Sequence, residues 1–189
     1  MSQSYSHRAP RAVILACAAS LLALPAVAAG THGRGHAGAA LHGQPGKASQ
    51  ASRMIEIVMH DNYFEPESVR VQAGETIRFE VRNAGDLVHE FNIGTASMHA
   101  GHREEMTMMV EHGVLMPDHL DREAARHMEK TMGHGMHNEP NSVLLEPGKS
   151  GEVVWRFPRQ AEVSLEFGCN VPGHYESGMA GQFEIGGGS

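Results

Sequence analysis

The segment Thr76-Ile77-Arg78-Phe79-Glu80-Val81-Arg82 alternates polar and apolar side chains at every step, and this period of two constrains the fold more than any other feature. Ile77, Phe79 and Val81 must share one face of a strand. The same alternation recurs in Ile55, Ile57 and Met59, in Val69 and Val71, in Val153, Trp155 and Phe157, in Val163, Leu165 and Phe167, and in Phe183 and Ile185. Turn residues such as Ala73-Gly74-Glu75 separate the runs. Short alternating strands divided by Gly and Pro predict an all-β, antiparallel Greek-key β-sandwich with one buried face per sheet. With 189 residues, 41% of them hydrophobic, the chain can bury one such domain and carry extra segments.

The extra segments lie outside the alternating runs. Residues 1–28 read as an export signal: His7, Arg8 and Arg11 precede the apolar stretch Ala12 to Leu24, and Pro25-Ala26-Val27-Ala28 offers a cleavage site. Leu15-Ala16-Cys17 is a rival lipoprotein site, disfavoured by the short apolar run before Cys17. Residues 29–53 form a Gly-, Ala- and Ser-rich linker with His32, His36 and His42, either a flexible tail or a weak metal-catching arm. The domain is expected over 54–186. Cleavage removes Cys17, leaving Cys169 as a lone thiol in an oxidising compartment, where it is buried and inert, reactive, or bound to metal. The apolar leader is too short to span a membrane comfortably, so no stable insertion of the mature chain is expected. A formal net charge of −7 argues against nucleic acid as a partner.

Strand parity then locates a candidate site. Cys169 continues the inward set of Val163, Leu165 and Phe167, and His89 lies on the inward set of Leu87, Phe91 and Ile93. Taken singly, each is most simply a core residue. The loop Cys169-Asn-Val-Pro-Gly-His174-Tyr-Glu-Ser-Gly-Met179 changes that reading, because it gathers thiolate, imidazole and thioether in one turn before the last strand. With His89 it supplies the donors of a type 1 copper centre: one thiolate, two imidazoles and a weak axial thioether.

The Cys-x4-His-x4-Met pattern at the end of a sandwich, with an upstream His, resembles the cupredoxins, nearer to the rusticyanin and auracyanin types than to plastocyanin. Pro172 to Met179, Val88-His89-Glu90-Phe91 and Glu146-Pro147-Gly148-Lys149-Ser150-Gly151 are similar to the proteobacterial periplasmic cupredoxins of the CopI type, linked to copper tolerance. The resemblance covers roughly residues 54–186. It implies the cupredoxin fold, a copper cofactor cycling between Cu(I) and Cu(II) on His89, Cys169, His174 and Met179, and a periplasmic location. In many cupredoxins the residue after the first His is Asn or Ser, which braces the thiolate loop. Here it is Glu90, on the outward parity, so that brace is in doubt.

Residues 97–138 form a His/Met-rich, partly helical insertion with eight Met and seven His. One helix is expected from a Ser97 cap to about Glu111, and a second from Pro117-Asp118 to Met132, closed by Gly133. Met98, His102, Met106 and Met109 fall on one face of the first, and Met128, Met132 and, if the turn continues past Gly133, Met136 stack similarly on the second. These residues are either packing or auxiliary copper ligands, since thioethers select Cu(I). No ligand of the main centre lies in the insertion, which makes it look dispensable for that centre.

Four protein donors leave no obvious place for a substrate, and the chain has no His-x-His pair of the kind multicopper oxidases carry. It is therefore not expected to be an enzyme. Two functions remain: a periplasmic copper-tolerance protein with redox capability, or a dedicated soluble electron carrier. Either implies a transient redox or copper-handling protein partner. It would dock at an apolar ring of Val171, Pro172, Gly173 and Met179 around His174.

Overall fold

The computed structural model describes residues 41–133, 135–136, 139–160 and 162–186. The expected leader and the start of the linker lie outside the described residues, as do His134 and His137. In chain order the strands and helices are β1 (Gln44–Pro45), β2 (Arg53–His60), β3 (Tyr63–Glu65), β4 (Ser68–Gln72), β5 (Thr76–Asn83), β6 (His89–Gly94), α1 (Ala96–Glu111), α2 (Arg122–Met132), β7 (Ser142–Leu145), β8 (Ser150–Arg156), β9 (Glu166–Gly168) and β10 (Ala180–Gly186). The strands form two five-stranded sheets, ordered β1-β8-β5-β2-β3 and β4-β10-β9-β6-β7. Antiparallel pairs predominate, but each sheet contains one parallel pair, β2 with β5 and β4 with β10.

The alternating residues do what their period requires. Ile77 and Phe79 sit opposite Trp155 and Val153 across the β5–β8 pair, so both strands turn one apolar face inward. Phe183 and Ile185 lie beside Val69 and Val71. The main core between the sheets holds Ile57, Met59, Phe64, Phe79, Phe91, Trp155, Phe167 and Phe183, together with Cys169 and Met179. Phe167 packs edge-on to Phe64 and tilted against Phe91 and Phe183. Each fully buried Phe of this kind contributes about 1.5–3 kcal/mol of transfer free energy.

Residues 41–52, expected in the linker, lie along a sheet edge. Gln44 and Pro45 pair with Arg156 and Trp155, and the Trp155 indole N–H donates to the His42 carbonyl at 3.0 Å.

The insertion folds as a helical cap with its own core of Val88, Met106, Met109, Val114, Leu115, Leu120, Ala125 and Met128, against which Leu144 and Val171 also pack. Its helices differ slightly from expectation. The hydroxyl of Thr95, not Ser97, accepts from Met98 N–H at the start of α1. The second helix begins four residues after Asp118, capped by Asp121, because Leu115 and Leu120 bridge across a turn and the Pro117 carbonyl accepts the Val88 N–H at 2.7 Å. Gly133 ends it in the left-handed conformation, as read from the sequence.

Candidate metal centre

Pairing brings three chain segments to one end of the sandwich. His89 opens β6, β6 pairs with β9 through Asn92 and Gly168, and Gly168 in turn faces Ala180 of β10. Cys169 therefore leaves β9 beside the place where Met179 enters β10, and the Cys169 N–H donates to the Met179 carbonyl at 3.1 Å. Within the loop, His174 N–H donates to Val171 and Met179 N–H to His174. The positive φ of 87° at Gly173 turns the chain so that His174 faces back toward His89.

Three of the four expected donors converge. His89 Nδ1 and His174 Nδ1 are 3.2 Å apart, and Cys169 Sγ is 3.8 Å from the first and 3.4 Å from the second. A point equidistant from these three atoms lies about 2.0 Å from each, a metal–nitrogen bond length. Two ring nitrogens and a sulfur converging this closely, with no carboxylate between them, suit a soft or borderline ion. Met179 is fully buried in the same core as Cys169.

The electrostatics suit a ligand role. Burial holds both His89 and His174 below the usual imidazole range, and for His174 the neighbouring His89 adds to this, so both rings are neutral near pH 7. Burial pushes the Cys169 thiol up to about 12, against the Glu90 N–H, which donates to Sγ at 3.3 Å. Without a cation the thiol keeps its proton and is inert.

Two supports were not read from the sequence. Asp61, in the β2–β3 turn, lies 2.8 Å from His89 Nε2. A carboxylate there fixes the proton on Nε2 and leaves Nδ1 free to ligate. Burial opposes the Asp61 charge, but His89 and the N–H groups of Asp86 and Leu87 hold its carboxyl below the usual range. Gly85 makes room for this contact: a Cβ there would overlap Asp61 Oδ1 and stand 2.9 Å from His89 Nε2. Gly85→Ala is therefore expected to weaken metal affinity about tenfold while leaving the fold intact, measured by competition with a chromophoric chelator. Unchanged affinity would show that the Asp61 contact is incidental.

The second support is Glu90, and it resolves the doubt over the brace. Its side chain points away from the main core, as its parity requires, yet it is 1% exposed because α1 covers it. Its carboxylate accepts from both the backbone and side-chain N–H groups of Asn170, the residue after Cys169, and from Ser142 and His102. Glu90 thus ties the thiolate loop to β6 and to the insertion. Burial opposes its charge, but these donors, His102 above all, keep its carboxyl below the usual range. His102 is disfavoured as a cation by burial, yet Glu90 and Glu105 raise it to about 9.

Of the candidate auxiliary residues, Met106, Met109 and Met128 fill the core of the cap, and His102 is held between Glu90 and Glu105. Met98 is half-buried, and Met132 and Met136 are exposed. The apolar ring around His174 also differs from expectation. Met179 is buried and takes no part, while the insertion adds Val110, Leu115, Met116 and Pro117 to Val171 and Pro172 around a concavity of about 230 Å³. Val110 and Met116 are 44% and 38% exposed.

The arrangement can be set beside known proteins. Residues 34–106 match the Cupredoxin-like domain family. The structure of auracyanin B aligns with 77% of this chain and 96% of its own at a TM-score of 0.51 and 19% identity, which speaks to the fold alone. Fold and donor cluster together define a cupredoxin. The chain is 47% identical to the copper-resistant cuproprotein CopI of Pseudomonas aeruginosa, over 76% of this chain and 81% of that one. It is 38% identical to CopI of Rubrivivax gelatinosus, over 90% and 94%. The chain belongs to the family of CopI cuproproteins.

Proposed function

We propose that this chain is a periplasmic copper-tolerance protein that holds one copper ion on His89, Cys169, His174 and Met179 and passes electrons through it. The convergence of His89, His174 and Cys169 around one point carries the reading. The family supports the tolerance role, since its members are named as copper-resistant cuproproteins. Copper bound there would supply a one-electron couple between Cu(I) and Cu(II), with Met179 as a weak fourth donor. The chain's own contribution is to hold two neutral imidazoles and a buried thiol in place through Asp61, Gly85 and Glu90. Rigid donors favour outer-sphere transfer over substrate chemistry. The apolar surface beside His174 suits brief docking of a redox or copper-handling partner. No helix among the described residues is long and apolar enough to cross a membrane.

The test is reconstitution with Cu(II). The intact protein is expected to show an intense thiolate-to-copper charge-transfer band, and Cys169→Ala to lose it entirely. Met179→Leu should keep the band with a shifted potential. A Cys169→Ala protein with an unchanged visible spectrum would falsify the assignment.

A further inference from the structure

Where α1 borders β6, the buried His102 and the exposed Glu105 stand one turn apart, and the segment leading into β7 brings Glu139 against them. His102 Nδ1 is 3.0 Å from Glu105 Oε2, and one donor atom from each of the three residues lies within 4.8 Å of the others. We infer that His102, Glu105 and Glu139 form a second cation site, built from nitrogen and oxygen donors and suited to Cu(II) or Zn(II).

Four observations carry this assignment. The imidazole is buried and oriented from behind: its Nε2 faces the fully buried Glu90 at 2.9 Å, the arrangement by which metal-binding histidines are held. Its other nitrogen faces Glu105, and Glu105 and Glu139 are both exposed, so an ion can reach the cluster without opening the fold. The three residues border a concavity of about 290 Å³, which Asn92, Ser97, Met98 and Asn141 also line. Finally, three carboxylates surround one imidazole, an excess of negative charge that a divalent cation offsets. One imidazole with carboxylates matches the borderline ions; calcium would call for six to eight oxygens. A cation on Nδ1 displaces the proton that His102 otherwise shares with Glu105.

This site shares no donor with the cluster around Cys169, and it goes beyond the proposed function by giving the insertion an ion of its own in the oxidised state. The two are nonetheless joined. Glu90 bonds His102 on one side and Asn170, next to Cys169, on the other. An ion that pulls on His102 therefore bears on the thiolate loop through two hydrogen bonds.

The experiment uses the full mature chain. The Cys169 centre is first saturated with one equivalent of copper, followed by its visible band, and further Cu(II) is then titrated while paramagnetic resonance reports nitrogen and oxygen coordination. A second equivalent is expected to bind with such a signal. In the double variant Glu105→Gln, Glu139→Gln its affinity should fall about 100-fold, with the visible band of the first equivalent retained. Each single variant should lose about tenfold, which keeps the comparison open if the double variant folds poorly. Equal uptake in the intact and variant proteins would place the second ion elsewhere, for example on the histidines of residues 29–42, and overturn the assignment. So would a protein that takes up no second ion. Because the second signal is read independently of the Cys169 band, failure of either site is distinguishable from failure of the other.

Discussion

A protein carrying Glu90→Ala is expected to lose about 3–5 kcal/mol of stability in the metal-free state, the cost of breaking a buried charged pair from one side. The substitution strips a carboxylate from two Asn170 donors, from the Ser142 hydroxyl and from a protonated His102, all in the region sealed by α1. The pH dependence separates this from ordinary loss of packing. The Glu90 carboxyl is depressed in the fold, so its contribution is present above its unfolded value of 4.5 and lost as pH falls through the folded one. The His102 imidazole is raised, so its contribution is complete below 6.5 and lost as pH climbs through about 9. The contribution of this pair should therefore be greatest between these limits, and the intact metal-free protein should lose it toward pH 9, by on the order of 3 kcal/mol. In Glu90→Ala that alkaline decline should be nearly absent, since His102 loses its principal partner. Urea denaturation at several pH values measures both effects. A loss below about 1 kcal/mol, as for an exposed pair, would mean that α1 does not seal Glu90 in solution.

Glu90 also shows where sequence reasoning stops. Strand parity correctly turned its side chain away from the main core, and parity alone implies solvent. The side chain is buried because a helix some ten residues downstream covers that face, a tertiary event with no period-two signature. By contrast, Ile77, Phe79, Trp155 and Phe167 were legible because alternation reports burial directly within one sheet. The candidate centre was legible in its donors because three of them share one loop and the fourth follows strand parity. Its supports were not. Asp61 reaches His89 across 28 residues through a turn, and no local pattern marks that contact. Gly85 looks like an ordinary turn glycine until Asp61 is placed beside it. In the insertion, helical spacing correctly grouped Met106 with Met109. It could not say whether the shared face meets solvent ions or the sandwich, and that face closes over Val88.

The insertion therefore belongs to the fold, and its removal should have the second large effect. From sequence alone, deleting residues 97–137 costs none of the four donors and should leave the copper spectrum largely intact. The structure reverses that expectation. The cap buries Val88, which precedes His89, and packs on Val171, two residues after Cys169. Deletion exposes both, along with Leu144, at about 1.5–3 kcal/mol for each side chain wholly returned to water. It also removes His99, whose Nδ1 lies 3.1 Å from Asn170 Oδ1, and His102, leaving Glu90 charged and without its cation. These losses sum to on the order of 5 kcal/mol or more, comparable with the entire stability of many domains. A chain in which residues 97–137 are replaced by a short Gly/Ser linker should melt about 10–20 °C lower without metal, or fail to fold. Any copper band that remains should be shifted and broadened, because Asn170 is no longer held from two sides. Circular dichroism melting and visible absorption on the same samples read the two effects separately. Substituting Met106, Met109 and Met128 together by Leu is the matched control: it keeps the apolar volume while removing three thioethers, and should cost less than about 1.5 kcal/mol per site. A deletion variant that melts within a few degrees of the intact chain, with the same spectrum, would show the cap to be an appendage. A Leu triple variant as damaged as the deletion would show that those sulfurs do more than fill space.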